Sequence, residues 1–383
     1  MKKRPFMLAA GGVAGLLLLL CACFWLITGT QKFMTDMGRF AGEKGSELLG
    51  ARVEVGEVCV ESPWALTARN VALYDKRNEL LARAESATVR ISLFGMLVKA
   101  PVEAVEDVLV RRPEACIVKR GDGSWNFRDL MEEEREPSAF RGVVRSEFGA
   151  AELSMEGKSL RVSDVNGSVD FADPKAMDVD LKARCEGAAL SASGKVGDEN
   201  ASLEIEGSDI DLKPYLQWLP ANLLPESVTI RGGHVKTLTA SVEKRGEELS
   251  YQGTAELTKG EVRVLDTEIR EIEGTADFTE RDVKLAAVAE AEGQRAEVRG
   301  SVGLLGEEPT LSLIARSESF DPGEVMKDVP YHGAVAFTAH VTGTPSSPEV
   351  DGEFWVKEGR VADYGFQNAR ARAAYADGRI TVR

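Results

Sequence analysis

The chain has 383 residues, with 47 Lys and Arg against 62 Asp and Glu, a formal charge of −15. That balance excludes a nucleic-acid surface and a basic membrane-surface patch, and an aromatic content of 7% excludes an aromatic-rich carbohydrate binder. Two of the five cysteines, Cys21 and Cys23, lie in an apolar N-terminal run. Cys59, Cys116 and Cys185 are odd in number and widely spaced, which predicts buried free thiols in strands, with room for one disulfide, rather than a disulfide framework or a zinc site.

Lys2, Lys3 and Arg4 precede an apolar run from Phe6 to Ile27, and no charge follows until Lys32. A signal-peptide core spans ~7–15 residues, whereas a membrane-crossing helix needs ~20. The length predicts an uncleaved transmembrane anchor over 1–30. Leu16 and Leu20 then sit in the bilayer and Trp25 at its far interface, with the N-terminus cytoplasmic. "LCAC" (20–23) also suits a lipid-modified cysteine, but the run continues apolar past Cys23 through Ile27.

Phe33, Met37, Phe40 and Ala41 recur at helical spacing before Gly50, predicting one short helix. It serves either as a plug at the end of a sheet or as a linker beside the membrane. From residue 52 the apolar positions alternate with polar ones, as in an antiparallel sheet with one wet face. "GDG" (121–123), "DVNGS" (164–168) and "ADGR" (376–379) supply turn signals. Only "LKPYLQWLP" (212–220) and "DPGEVMKDVP" (321–330) read as further helices, each short and closed by proline.

A repeat of about 100 residues runs from about residue 149 onward. Its anchors are Ala151 with Ala255, Gly260 with Gly359, "GSVDF" (167–171) with "GTADF" (274–278), Gly194 with Gly300, and Asp211 with Asp321. The domain layout expected is an anchor (1–30), an N-terminal region of helix plus strands (31–135), and a repeat region (136–383) whose last unit is incomplete. About seven strands per unit at ~4.8 Å each extend a sheet by roughly 30–35 Å. So long a twisted sheet either curls lengthwise into an elongated, apolar-lined groove or splits into a string of sandwiches. The fold class expected is mainly β, a curled repeat sheet behind a transmembrane helix and a short helix. In the curled form Val262, Val264, Val298, Val302, Leu311, Leu313, Phe337 and Val341 face the apolar interior, and Arg263, Arg299 and Ser312 face water.

Catalytic chemistry finds no constellation. His234, His332 and His340 lack metal-ligand spacing, and "GAALSASGKV" (187–196) fails as a phosphate loop because Val196 stands where Ser or Thr belongs. Glu132, Glu133 and Glu134 form a solvated charge run, and no Gly-x-Ser-x-Gly elbow occurs. The expectation is a protein that is not an enzyme, with no cofactor and no metal.

The segment "GARVEVGEVCVESPWALTARNVALYDKRNELLARAESATVRISLFGMLV" (50–98) leads into "RRPEACIVKRGDGSWNFRDLM" (111–131). Together they resemble the N-terminal region of the AsmA-like superfamily. Asp122, Gly123, Trp125 and Asn126 fill its "DG-x-W-N" turn. "VTGTPSSPEVDGEFWVKEGRV" (341–361) is similar to the repeat joint of the TamB-type (translocation and assembly module) branch. The resemblance implies an inner-membrane-anchored groove in the periplasm whose eight interior residues hold phospholipid acyl chains. It also implies a part in bridge-like phospholipid transport and outer-membrane biogenesis, with a TamA-type outer-membrane β-barrel as a partner. The alternative role it implies is a scaffold or chaperone for outer-membrane barrel strands, working by edge pairing. Relatives of that branch are far longer, so the chain is expected to be a fragment or a truncated product.

Overall fold

The computed structural model describes residues 30–92, 103–128, 140–173, 175–197, 199–219, 228–264, 267–306, 308–325, 331–376 and 378–383. The expected anchor, with Leu16, Leu20 and Trp25, lies outside the described residues, as does the boundary expected at 135/136. No described helix is long and apolar enough to cross a membrane. The protein is mainly β, and it divides into two compact units, one up to Ala183 and one from Arg184.

The first unit opens with helix α1 (Gln31–Leu49), which ends on Gly50 in the left-handed conformation. The helix lies along β1 (Val53–Ser62), and glycine lets it come close. A Cβ on Gly38 would sit 2.8 Å from the Gly56 carbonyl oxygen, and one on Gly42 would sit 3.0 Å from that of Val53. The Ser46 hydroxyl accepts a hydrogen bond from the Val53 N–H at 2.8 Å. The helix therefore covers the outer side of the first strand, which would otherwise be open to pairing.

β1 pairs antiparallel with β2 (Ala65–Tyr74), and β2 with β3 (Leu80–Ile91). β3 pairs with β4 (Val105–Arg111) and β5 (Glu114–Lys119), two parts of one line broken at Pro113. Both then pair parallel with β6 (Val143–Met155). Period two predicted antiparallel pairing throughout; alternation fixes which residues share a face and carries no strand direction, so this join is a correction. β6 returns antiparallel to β7 (Lys158–Asp170), and β8 (Ala176–Cys185) follows.

A second correction concerns "DVNGS", which lies inside β7 and is no turn. Asp164 takes a positive φ of 50°, and the Asn166 side chain accepts a hydrogen bond from the Phe148 N–H at 2.9 Å. Asn-Gly here builds a bulge between β6 and β7.

The "DG-x-W-N" stretch is a pin. Asn126 is almost fully buried, accepts from the Val118 N–H at 3.0 Å and donates to the Cys116 carbonyl at 2.7 Å. Hydrogen bonds from the Ser124 hydroxyl and N–H hold the Asp122 carboxyl down at about 2. Beside them the buried Asp75 accepts from the N–H groups of Arg77 (2.9 Å) and Glu79 (2.7 Å) and pairs with the Arg120 guanidinium. The β2–β3 turn is thus tied to the end of β5.

In the second unit one antiparallel ladder runs without interruption. It comprises β9 (Ala188–Gly197), β10 (Asn200–Asp211), β11 (Val228–Arg245), β12 (Glu248–Val264), β13 (Thr267–Thr279) and β14 (Asp282–Ala291). It continues through β15 (Gln294–Gly303), β16 (Thr310–Phe320), β18 (Val335–Gly343), β19 (Pro348–Val361), β20 (Tyr364–Ala376) and β21 (Arg379–Val382). The two-residue β17 (Tyr331–His332) also pairs with β19. The pairing along these strands does not split into the separate sheets that a string of sandwiches requires. The two proline-closed segments form single turns, α2 (Lys213–Leu216) and α3 (Pro322–Val325).

The repeat has a structural basis. A Cβ on Gly194 would lie 2.1 Å from the Ser202 carbonyl oxygen, and one on Gly300 would lie 2.1 Å from that of Ser312. Gly233 closes to 3.2 Å on Gly260 by the same measure, and Gly333 to 2.9 Å on Gly359. Asp211 and Asp321 each stand just before a short helix and accept from the N–H two residues on, that of Lys213 (3.0 Å) and of Gly323 (2.9 Å). One anchor shifts: Ala151 and Ala255 share no special geometry, whereas Gly149 and Gly260 each sit in a bulge behind a left-handed residue, Phe148 or Lys259. The bulge, not the alanine, is the recurring element. Gly300→Val should therefore break the β15–β16 pairing. Its φ of 149° and the 2.1 Å approach together make a loss of about 3 kcal/mol or more the expected result, read as a lowered denaturant midpoint. Val302→Ala in the same strand should cost less, about 1–2 kcal/mol.

Candidate functional site

The ladder of the second unit sorts its side chains into apolar and charged faces, and the register shows how far the sorting extends. One row of directly opposed residues begins Leu190, Gly207, Leu238, Ala255, Ala276 and Leu285. It continues Gly300, Leu313, Val341, Val350, Tyr375 and Ile380. Twelve strands contribute, and no member is charged. A second row runs from Ala192 to Pro348 through Phe278, Val302 and Leu311. A third runs from Ile210 to Val382 through Leu257, Val298 and Ala339.

The eight residues expected on the apolar side all lie on this face. Val302 and Leu311 stand in the second row, Leu313 and Val341 in the first, and Val298 in the third. Phe337 opposes Phe354, and its ring meets Phe320 edge-on at 5.6 Å. Val262 opposes Ile230 and Ile269, while Val264 opposes Val228 and Thr267. All eight are half-buried; Arg263, Arg299 and Ser312 are exposed.

Val262 and Val264 reach this face through a bulge. In a regular strand they would point opposite to Ala255 and Leu257, because their numbers differ in parity. Lys259, at φ 51°, inserts one residue, and a Cβ on Gly260 would then meet Leu257 at 3.1 Å and Ile272 at 2.9 Å. β13 makes the matching shift between Arg270 and Glu273, with Glu271 at φ 47°. β11 shifts between Val235 and Thr237, and Asp209 of β10 is left-handed too. The irregularities line up across four neighbouring strands.

The opposite face is polar along its own rows. Glu206, Thr239, Thr254, Asp277, Lys284 and Ser301 form one of them, and Ser312 and Thr342 extend it. Within it Thr239 and Thr254 share a hydroxyl hydrogen bond of 2.8 Å. Lys236 pairs with Glu256 at 3.1 Å, and Arg372 with Asp351 at 3.1 Å. Hydrogen bonding to Asp351 holds the Arg372 guanidinium above its ordinary value. Such exposed pairs each contribute little to stability.

A depression of about 1450 Å³ is bordered mainly by this charged face, with Ser317, Phe337, Phe354 and Ala371 of the apolar side also contributing to its lining. Arg316, Thr338, Glu353 and Arg372 of one row and Ala336, Trp355 and Arg370 of the next border it. Of the eight expected residues only Phe337 touches it, from between those rows. Nothing in the alternation announces it, since its residues come from widely separated stretches of sequence.

The other candidates stay apart. His332 and His340 are exposed, and His234 is half-buried, 3.5 Å from the Asp209 carboxylate. Among the described residues no group of three or more His, Cys, Asp and Glu is placed to hold a metal. All three cysteines are free thiols, but of the burial expected only Cys185 shows it; Cys59 and Cys116 are half-buried. Glu132, Glu133 and Glu134 lie outside the described residues.

Comparisons of this chain with protein families, with curated proteins and with solved structures returned no match.

Proposed function

We propose that the apolar face of the second unit is the floor of a groove that holds phospholipid acyl chains. The protein would be a carrier or conduit segment anchored in the inner membrane and exposed to the periplasm. The observation that carries the reading is the uncharged row from Leu190 to Ile380. At ~4.8 Å per strand it spans roughly 50 Å. An acyl chain leaving a bilayer needs continuity, because each CH₂ kept from water contributes about 0.8 kcal/mol. The bulges aligned across β10–β13 support curling, since a bulge bends its strand and deepens the local twist. Headgroups stay hydrated at the open seam.

The resemblance of residues 50–131 and 341–361 to the AsmA-like superfamily supports the placement in the envelope and the link to phospholipid transport and outer-membrane biogenesis. A TamA-type barrel is the partner this implies. No step in the reading is chemical, so the protein acts without catalysis, cofactor or metal.

The test uses the full chain purified in detergent, with a photocrosslinking residue placed at Val302 or Leu313 and, separately, at Arg299 or Ser312. Phospholipid adducts confined to the first pair are the expected result. Equal capture at both pairs removes the apolar rows from any lipid path. Capture of unfolded barrel segments in place of lipid would move the assignment to a scaffold for outer-membrane strands.

A further inference from the structure

We propose that the depression bordered mainly by the charged face is a binding site for an acidic saccharide, meeting the acyl-chain surface only along the row that holds Phe337 and Phe354. Two observations point to this chemistry. First, the depression combines an aromatic platform with guanidinium groups. Trp355 is 46% exposed, with Arg370 directly opposite on the next strand and Ala336, too small to cover the ring, on the other side. An indole face so framed accepts the flat side of a sugar ring, and guanidinium forks bind carboxylate or phosphate with two parallel hydrogen bonds. Arg316 and Arg370 make no ion pair among the described residues, in a chain whose formal charge is −15.

Second, carboxylates stand among the arginines. Glu353 lies between Thr338 and Arg372 in the register, and Glu318 borders the same space. A bare anion would be repelled by them. A polyhydroxylated anion uses them, because sugar hydroxyls donate to carboxylates while the acidic group accepts from the arginines. The volume of about 1450 Å³ exceeds the ~300–1,000 Å³ typical of small-molecule pockets, which suits more than one ring. The overall scarcity of aromatics excludes a long multi-tryptophan platform and leaves room for a single stacking residue.

The experiment is calorimetric titration of the full chain in detergent with trigalacturonate, with maltotriose as the neutral saccharide and with ATP as an anion carrying an aromatic base. Trigalacturonate should bind, and maltotriose should bind at least tenfold more weakly. Combining Arg316→Ala with Arg370→Ala should weaken trigalacturonate about tenfold or more. Arg370→Lys, which keeps the charge and loses the fork, should recover only part of that loss. Arg263→Ala, on the same face outside the depression, should leave binding unchanged, and far-UV circular dichroism identifies any variant that has not folded. The proposal is overturned by absent trigalacturonate binding, by equal binding of maltotriose, by tighter binding of ATP, or by a folded double variant that binds as the parent does.

Discussion

Asp75→Ala should destabilise the first unit by about 3–5 kcal/mol, an effect as large as that of deleting a core aromatic residue. The carboxylate is buried, with a side-chain exposure of 0% against 9% for its partner Arg120. Removing it leaves the nearly buried guanidinium with the solvent-exposed Glu79 carboxylate, 3.6 Å away, as a weaker counter-charge, and strips acceptors from the N–H groups of Arg77 and Glu79. Arg120→Met should cost less, because the carboxylate keeps both backbone donors and the replacement is apolar. Chemical denaturation of the two variants against the parent checks the order. Hydrogen exchange adds location: the amides of β5 and of the turn at residues 75–79 should lose protection together, while those of β14 and β15 should not. Equal midpoints for Asp75→Ala and the parent would mean that the ion pair contributes nothing to holding the turn.

That ion pair was invisible in the sequence. Asp75 and Arg120 are 45 positions apart, and each sits in a charged stretch that reads as solvated surface. What could be read was periodic. Alternation assigned Val298, Val302, Leu311 and Leu313 to one face because their strands are regular, and Gly50 ended α1 where the left-handed residue stands. The repeat spacing of Gly194 and Gly300 was legible for a steric reason. Only a residue without a Cβ tolerates a carbonyl oxygen 2.1 Å from where that Cβ would lie, so the requirement recurs with the geometry.

The rest depended on departures from period two. Lys259, Glu271 and Phe148 adopt left-handed φ without being glycine or asparagine, so nothing in their identity announces a bulge. Asn166-Gly167 looked like a hairpin turn because that dipeptide suits one, yet its side chain is used across the strands instead. The parallel join of β4 and β5 with β6 leaves the same alternation as an antiparallel one. The apolar rows were underestimated as well. They pass through Gly207, Gly253, Gly274, Gly300 and Gly352, residues that score as neutral in a hydropathy pattern but keep the surface free of charge.

Phe337→Asp should leave the second unit folded while removing lipid from it, and the pair of outcomes separates an open apolar surface from a closed core. Phe337 lies on the same face as Phe320 and Phe354, with ring centroids 5.6 and 6.2 Å away. Losing those ring contacts costs about 0.5–1.5 kcal/mol each. What decides the result is the solvation of the new carboxylate. Phe337 is half-buried, between Val335 and Ala339, which are 5% and 8% exposed. On a face open at its seam the carboxylate can turn to water, and the total should stay near 2–3 kcal/mol, within the stability of an ordinary domain. In a sealed core it would be stranded without a partner, adding several kcal/mol and unfolding the unit. Thermal melting and phospholipid retained per chain, measured on one preparation of the full-length variant, give both readings. A cooperative melt with lipid retention reduced severalfold is the expected combination. Outright unfolding would identify a closed core, and a folded variant retaining as much lipid as the parent would take β18 off the path. Phe337→Leu completes the comparison: it keeps the surface apolar, so it should melt close to the parent and retain lipid. If it lost lipid as Phe337→Asp does, the ring itself, rather than continuity of uncharged surface, would be what holds the acyl chain.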